Sequence, residues 1–137
     1  MTSANHDTGF LFYAERFDDL VIAQDPTLLV ARVSSRIRQK FQLFQILKTE
    51  LKLPDYFGSN WDALEECLRD FSWLEGVRGV QLIHAGLPFP EGHHSRGVYL
   101  QILRDAVKSW TADPKFQFEV LFPERNRGEI LRLLRTS

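Results

Sequence analysis

Three short apolar runs, TLLVARVS (27–34), GVQLIHAGL (79–87) and FQFEVLF (116–122), are separated by segments whose apolar residues recur every three or four positions. β-Branched or alternating runs of this length, bounded by Pro, Gly and Ser, are strand signals. The first follows Pro26 and ends on a Ser pair, and the third alternates most clearly. Between the first two runs, Ile37, Phe41, Phe44, Leu47 and Leu51 form the apolar stripe of a predicted helix over 35–52. Ser34 or Ser35 can cap it and Pro54 ends it. A second helix is predicted from Trp61 to about Ser72. Before the third strand, Val98, Tyr99, Ile102, Leu103, Ala106 and Trp110 share one face of a helix over 95–112. Strands joined through helices pair in parallel, because the crossover is long enough to return the chain to the same end of the sheet. The expectation is an α/β fold with a small parallel sheet of about three strands packed with helices.

The remaining segments add less. PFPEGHH (88–94) is a loop, since two prolines and a glycine preclude regular structure. The last fifteen residues, after Phe122, can close with a short helix following Pro123. FLFYAERFDDLVIA (10–23) is apolar enough to belong to the fold, but its pattern does not separate strand from helix. The first nine residues are small and polar, as in a loose terminus. With 137 residues, 44% of them apolar and eleven Phe, the chain can bury one core without staples. A net charge of −1 describes an ordinary globule, neither strongly basic nor an acidic tail. The single cysteine, Cys67, has no internal disulfide partner, which favours a reducing compartment. The first 25 residues include Asp7, Glu15, Asp18 and Asp19 and lack a basic start followed by an apolar run. No run approaches the roughly 18 apolar residues of a membrane span. A cytoplasmic location without secretory leader or membrane contact is therefore expected.

The small net charge hides a concentration. Residues 53–75 hold six acids against one base, Arg69, while the rest hold sixteen bases and twelve acids. Most of these acids lie in or beside LPDYFGSNWDALEECL (53–68). At 100° per residue, Trp61, Ala63, Leu64, Cys67, Leu68 and Phe71 fall on one side of the predicted helix, and Asp62, Glu65, Glu66, Arg69 and Asp70 on the other. Ser59 with Asp62 resembles a capping box, and Asn60 is an alternative cap. A capped, solvated helix needs only Asp62 near its positive end. Glu65, Glu66 and Asp70 exceed that need, and only Arg69 compensates them locally. Tolerated repulsion of this kind suits a surface that receives cations. Tyr56 and Phe57 beside Gly58 place aromatics on the preceding turn, as at interfaces.

The same sixteen residues resemble the signature of the barstar family, intracellular inhibitors of a small secreted ribonuclease. Leu53, Pro54, Tyr56, Gly58, Asn60, Asp62, Ala63, Leu64, Cys67 and Leu68 match its pattern in register. The resemblance spans 27–122 and implies a barstar-like domain there, with 1–26 as an N-terminal and 123–137 as a C-terminal extension. It implies a non-enzymatic protein, monomeric when free, that needs no cofactor or metal and plugs a ribonuclease active site. Acidic side chains then replace substrate phosphates among the enzyme's cations. By the same resemblance Tyr56 is the aromatic loop contact, Asn60 holds the loop and helix start, and Trp61 lies at the rim. Asp62 pairs with a cation, and Glu66 stands where the best-known member has its dominant Asp. Glu65 and Phe71 stand where that member has Trp. The longer Glu66 carboxylate implies a partner pocket of different depth. The alternative is a barstar-fold interaction or immunity module with a non-ribonuclease partner.

Other residues read more simply. Glu65 and Glu66 diverge by about 100° and have no neighbouring His or Ser, so they do not form a general acid/base pair. Glu91, His93 and His94 lack the i, i+4 spacing of a metal site and read as solvated loop. His84 inside an apolar strand reads as a core histidine, and Cys67 as a packing residue. Arg32, Arg36, Arg38 and Lys40 form a basic cluster. Three of the four fall in the first turns of the predicted first helix, where cations are disfavoured. The cluster reads as a solvated face or a contact with 53–75 or a neighbouring subunit, rather than as a direct nucleic-acid site.

Overall fold

A computed structural model describes residues 2–5, 7–14, 16–17 and 25–135. In chain order the elements are β1 (Thr2–Ala4), β2 (Leu11–Tyr13), β3 (Leu28–Val33), α1 (Lys40–Glu50), α2 (Trp61–Leu68), β4 (Gly79–His84), α3 (His94–Trp110), β5 (Gln117–Pro123) and α4 (Arg127–Arg135). A 3-10 turn at Glu124–Asn126 leads into α4. The three expected strands pair in parallel, with Leu29 opposite Val80 and Leu82 opposite Val120. Among the described residues the sheet holds five strands, in the order β1-β2-β5-β4-β3, rather than about three. The two extra strands come from the first thirteen residues. β2 adds in parallel along β5, with Phe12 opposite Phe122, and β1 folds back antiparallel on β2. Three-residue strands carry too little alternation to be read from sequence; the open edge of β5 supplies the hydrogen-bond partners that define them. Of the ambiguous 10–23 segment, residue 15 and residues 18–23 lie outside the described residues.

Alternation along the strands sorts the two faces. Phe12, Ala31, Val33, Val80, Leu82, Phe118, Val120 and Phe122 point into the main core with Leu43, Leu47, Leu64, Leu68, Leu103 and Ile130 from the four helices. On the opposite face Tyr13, Ile83 and Leu121 pack with Leu11, Phe17 and Val30. No helix among the described residues is long and apolar enough to cross a membrane.

Two helix boundaries depart from the periodicity. α1 begins at Lys40, not near 35, because Ala85 N–H donates to Val33 O (2.9 Å) and Phe89 N–H to Ile37 O (2.7 Å). These bonds hold the chain extended past Ser34. Neither serine caps α1: Ser34 Oγ accepts from Arg36 N–H (3.0 Å), and the helix follows Gln39. Gln42 Oε1 reaches back to the N–H groups of Arg38 (2.8 Å) and Gln39 (3.1 Å). Ile37 is buried from outside the helix, and Phe41, expected on the buried stripe, is 61% exposed.

α2 ends at Leu68, not near Ser72. Phe71 takes a left-handed backbone conformation (φ +53°) that turns the chain and drives its ring into the core. There it meets Trp73, Trp110, Phe116 and Phe118, with centroids 5.2–5.9 Å away. The same cluster satisfies carbonyls at two helix ends: Trp73 Nε1–H donates to Leu51 O (3.1 Å) and Trp110 Nε1–H to Leu68 O (2.7 Å).

His84 is fully buried at the end of β4, stacked on Phe122 with centroids 4.0 Å apart. Its Nδ1 lies 3.0 Å from Leu121 O, which can only accept, so Nδ1 carries the proton. Nε2 is then the acceptor for the Tyr99 O–H at 2.7 Å. Tyr13 O–H donates to His84 O at 2.5 Å and ties β2 to the same point. Burial holds the imidazole neutral and pushes its pKa from the ordinary 6.5 down to about 3, against an opposing contribution from the Leu121 carbonyl. Protons therefore bind the unfolded chain first. The stability His84 contributes is present above pH 6.5 and is lost as pH falls toward 3, at up to about 1.4 kcal/mol per pH unit. Urea unfolding across this range is expected to show that loss, and His84→Gln is expected to flatten it between pH 6.5 and 4. An unchanged slope in the variant would assign the acid sensitivity to other groups.

Candidate functional site

The 53–68 segment is built as a rigid loop on a capped helix. Leu53 N–H donates to Lys48 O (3.0 Å) and closes α1, and Phe57 N–H donates to Pro54 O (2.9 Å) to form the next turn. The aromatic pair then splits. Phe57 is buried edge-on against Phe44 at 5.9 Å, whereas Tyr56 is 73% exposed. Ser59 sits in the left-handed region (φ +51°), directly before the cap. Asn60 is the cap, its Oδ1 accepting from Ala63 N–H (2.8 Å) while its Nδ2 donates to Gly58 O (3.3 Å). Ser59 does not serve as cap.

On α2, Leu64, Cys67 and Leu68 face the core. Trp61 is half-buried and packs against Phe44 (5.1 Å), Phe89 (6.3 Å) and Tyr99 (6.4 Å), which locks the first turn of α2 onto α1 and α3. Asp62 and Glu66 lie one turn apart, exposed, and neither has an ion-pair partner among the described residues. Like charges at this spacing cost a helix roughly 0.2–0.5 kcal/mol. Asn60, Trp61, Asp62, Ala63 and Glu66 line one shallow surface depression of about 540 Å³.

The six predicted contact residues therefore do not form one patch. Asn60, Trp61, Asp62 and Glu66 come together, and Tyr56 projects from the adjoining loop. Glu65 turns to the other flank, pairing with Arg69 (3.1 Å) and lining a separate groove with His93, Arg96 and Glu129. Asp70 accepts from Ser72 Oγ–H at 2.9 Å. The thiol of Cys67 is pushed up chiefly by burial, then by the charges of Asp70 and Glu66. The acids thus disfavour a thiolate, and Cys67 is a packing residue.

The other candidates take structural places. His93 Nδ1 accepts from Ser95 N–H (3.1 Å) at the start of α3, and its ring stacks on Phe89 at 5.2 Å. Among the described residues no three His, Cys, Asp or Glu side chains converge in a metal-binding arrangement. Arg32, Arg36, Arg38 and Lys40 are all exposed. Because α1 starts at Lys40, Arg36 and Arg38 lie on the extended approach rather than in the first helical turns, which relieves the expected clash with the helix dipole. Among the described residues the four make no ion pair with the acids of 53–75. Phe41, assigned to the core by its spacing, instead borders the site across a cleft from Trp61. Gln39 and Gln42, three apart and bracketing Phe41, have the capping-box spacing and are the local signal for the later start of α1.

Against known families, the model described as Barstar (barnase inhibitor) matches residues 29–123. The match runs through β3, α1, α2, β4, α3 and β5, and it includes every residue of the depression.

Proposed function

This chain belongs to the barstar family, and from that premise we propose that it is a non-enzymatic inhibitor whose 54–60 loop and α2 occlude the active site of a small ribonuclease. The observation that carries the reading is the pair Asp62 and Glu66. They are exposed, unpaired among the described residues and aligned on a helix whose other side is fixed in the core. The backbone that carries these carboxylates is held in place, so that meeting cations that otherwise bind substrate phosphates requires ordering of the side chains alone. Tyr56 supplies apolar contact beside them, Asn60 and Trp61 hold the platform, and Glu65 contributes at its margin. The inhibitor acts as a monomer in the cytoplasm, without cofactor or metal.

Titrating the protein into a small ribonuclease of the barnase type is expected to abolish RNA cleavage linearly, with an endpoint at one equivalent. Undiminished cleavage of RNA at large excess, across a panel of such enzymes, would sink the reading. The Glu at 66, longer by one methylene than the Asp of the best-known member, favours a second reading, an immunity or interaction module for another protein. Affinity capture that recovers a partner devoid of nuclease activity, and loses it with Asp62→Ala and Glu66→Ala together, would favour that module.

A further inference from the structure

Building on the reading of α2 as the ribonuclease-facing helix, we propose that the cleft between the starts of α1 and α2 is a second contact for the same enzyme. It receives an apolar side chain flanked by a carboxylate, and thereby selects which ribonuclease is bound. The cleft has a volume of about 490 Å³, with Lys40, Phe41, Phe44 and Gln45 on one side and Ser59 and Trp61 on the other. Its base is rigid, because Phe44 and Trp61 meet edge to face at 5.1 Å. Phe41 and Tyr56 are the large hydrophobic side chains left exposed among the described residues, and both belong to segments that adjoin Ser59–Trp61, Phe41 across the cleft and Tyr56 on the preceding loop. One lies on the proposed contact loop; the other stands at this cleft.

Two observations identify the occupant. The cleft is continuous with the acidic depression, since Asn60 and Trp61 line both. A protein seated on Asp62 and Glu66 therefore extends over Phe41. The charge also changes sign across that wall. Lys40 and nearby Arg38 are exposed, without a carboxylate partner among the described residues, and face the opposite way in charge from Asp62 and Glu66. A ribonuclease that is uniformly basic around its active site is repelled by α1. One carrying an apolar side chain and then an acid beyond its basic pocket is complementary along the whole surface. The acidic helix supplies attraction to any basic pocket, and the cleft supplies discrimination.

The test measures affinities of the full chain for a panel of purified small ribonucleases of the barnase type, barnase included, and takes the tightest binder. Phe41 is exposed, so Phe41→Ala is expected to keep the fold, which circular dichroism and urea unfolding verify. Phe41→Ala is expected to weaken binding about tenfold or more. The loss persists at high salt because the contact is apolar. Lys40→Glu is expected to weaken binding severalfold at low salt, with the difference fading as salt is raised. Phe41→Ala within about twofold of wild type, alongside a large loss for Glu66→Ala, overturns the cleft contact and leaves the α2 reading standing. No loss in either variant, or no panel ribonuclease bound by wild type, overturns both. Tighter binding by Lys40→Glu overturns the flanking carboxylate. A Phe41-dependent dimer in light scattering, or salt-sensitive RNA binding lost in Lys40→Glu, overturns the proposal in favour of a second copy or a nucleic acid.

Discussion

Glu66→Ala is expected to weaken binding of the inhibited ribonuclease by about 2–5 kcal/mol, the cost of leaving a desolvated cation without its partner. The effect belongs to binding alone. Glu66 is exposed and unpaired among the described residues, so its removal deletes no internal contact and relieves its repulsion with Asp62. Unfolding midpoints are therefore expected to stay level or rise slightly while the dissociation rate climbs. Asp62→Ala is expected to act in the same direction with some loss of stability, because Asp62 also suits the positive end of α2. Glu65→Ala is the internal contrast. Its carboxylate is tied to Arg69 on the other flank, and its loss is expected to cost no more than about 1 kcal/mol. Calorimetry on the three variants checks the ranking. Equal losses at 65 and 66 would mean that the partner approaches from the groove of His93 and Glu129 instead.

The largest effect on stability is expected from Phe71→Ala, about 3–5 kcal/mol in urea unfolding at neutral pH. The ring is 2% exposed and contacts four aromatic rings: Trp73 from the 69–78 turn, Trp110 from α3, Phe116 just before β5 and Phe118 within it. Its removal leaves a void that flat, rigid neighbours cannot close. The loss reaches the site, because Trp110 in this cluster holds the last carbonyl of α2. Phe71→Leu is expected to recover part of the deficit by filling volume. A Phe71→Ala cost below about 1 kcal/mol would show that the turn, and not the ring, organises this end of the core.

The sheet and the helix order were legible because their patterns are local. LLVARV and VQLIH are apolar runs between breakers, and FQFEV alternates, so each announces a strand without reference to the rest of the chain. The acidic helix was legible for the same reason, as was Asn60 as one of two possible caps. β1 and β2 were not, since three residues pair only where β5 offers an edge. The start of α1 and the end of α2 were misread for one reason, that periodicity extends a helix as long as apolar residues keep the spacing; Phe71 is nonetheless buried, as its side of the wheel implied, and Phe41 lies within α1 but exposed. In the molecule the bonds that hold 34–39 extended delay α1, and the left-handed Phe71 follows an α2 already ended at Leu68.

By itself the sequence determined the α/β class, the family motif and the excess of negative charge on one short helix. These depend on residue types at short spacings, which physics reads one turn or one strand at a time. Only the tertiary structure decided where that charge is presented. Packing of Trp61 on Phe44, Phe89 and Tyr99 sets the roll of α2, so that the face carrying Asp62 and Glu66 lies open at the shallow depression while Glu65, about 100° round the helix, lines the groove with His93 and Glu129. Phe41 and Lys40, distant in sequence from the acids, come to line a cleft that shares Asn60 and Trp61 with the acidic depression. A helix wheel gives angles within one helix; the direction that helix presents to a partner is set by what its other side is packed against.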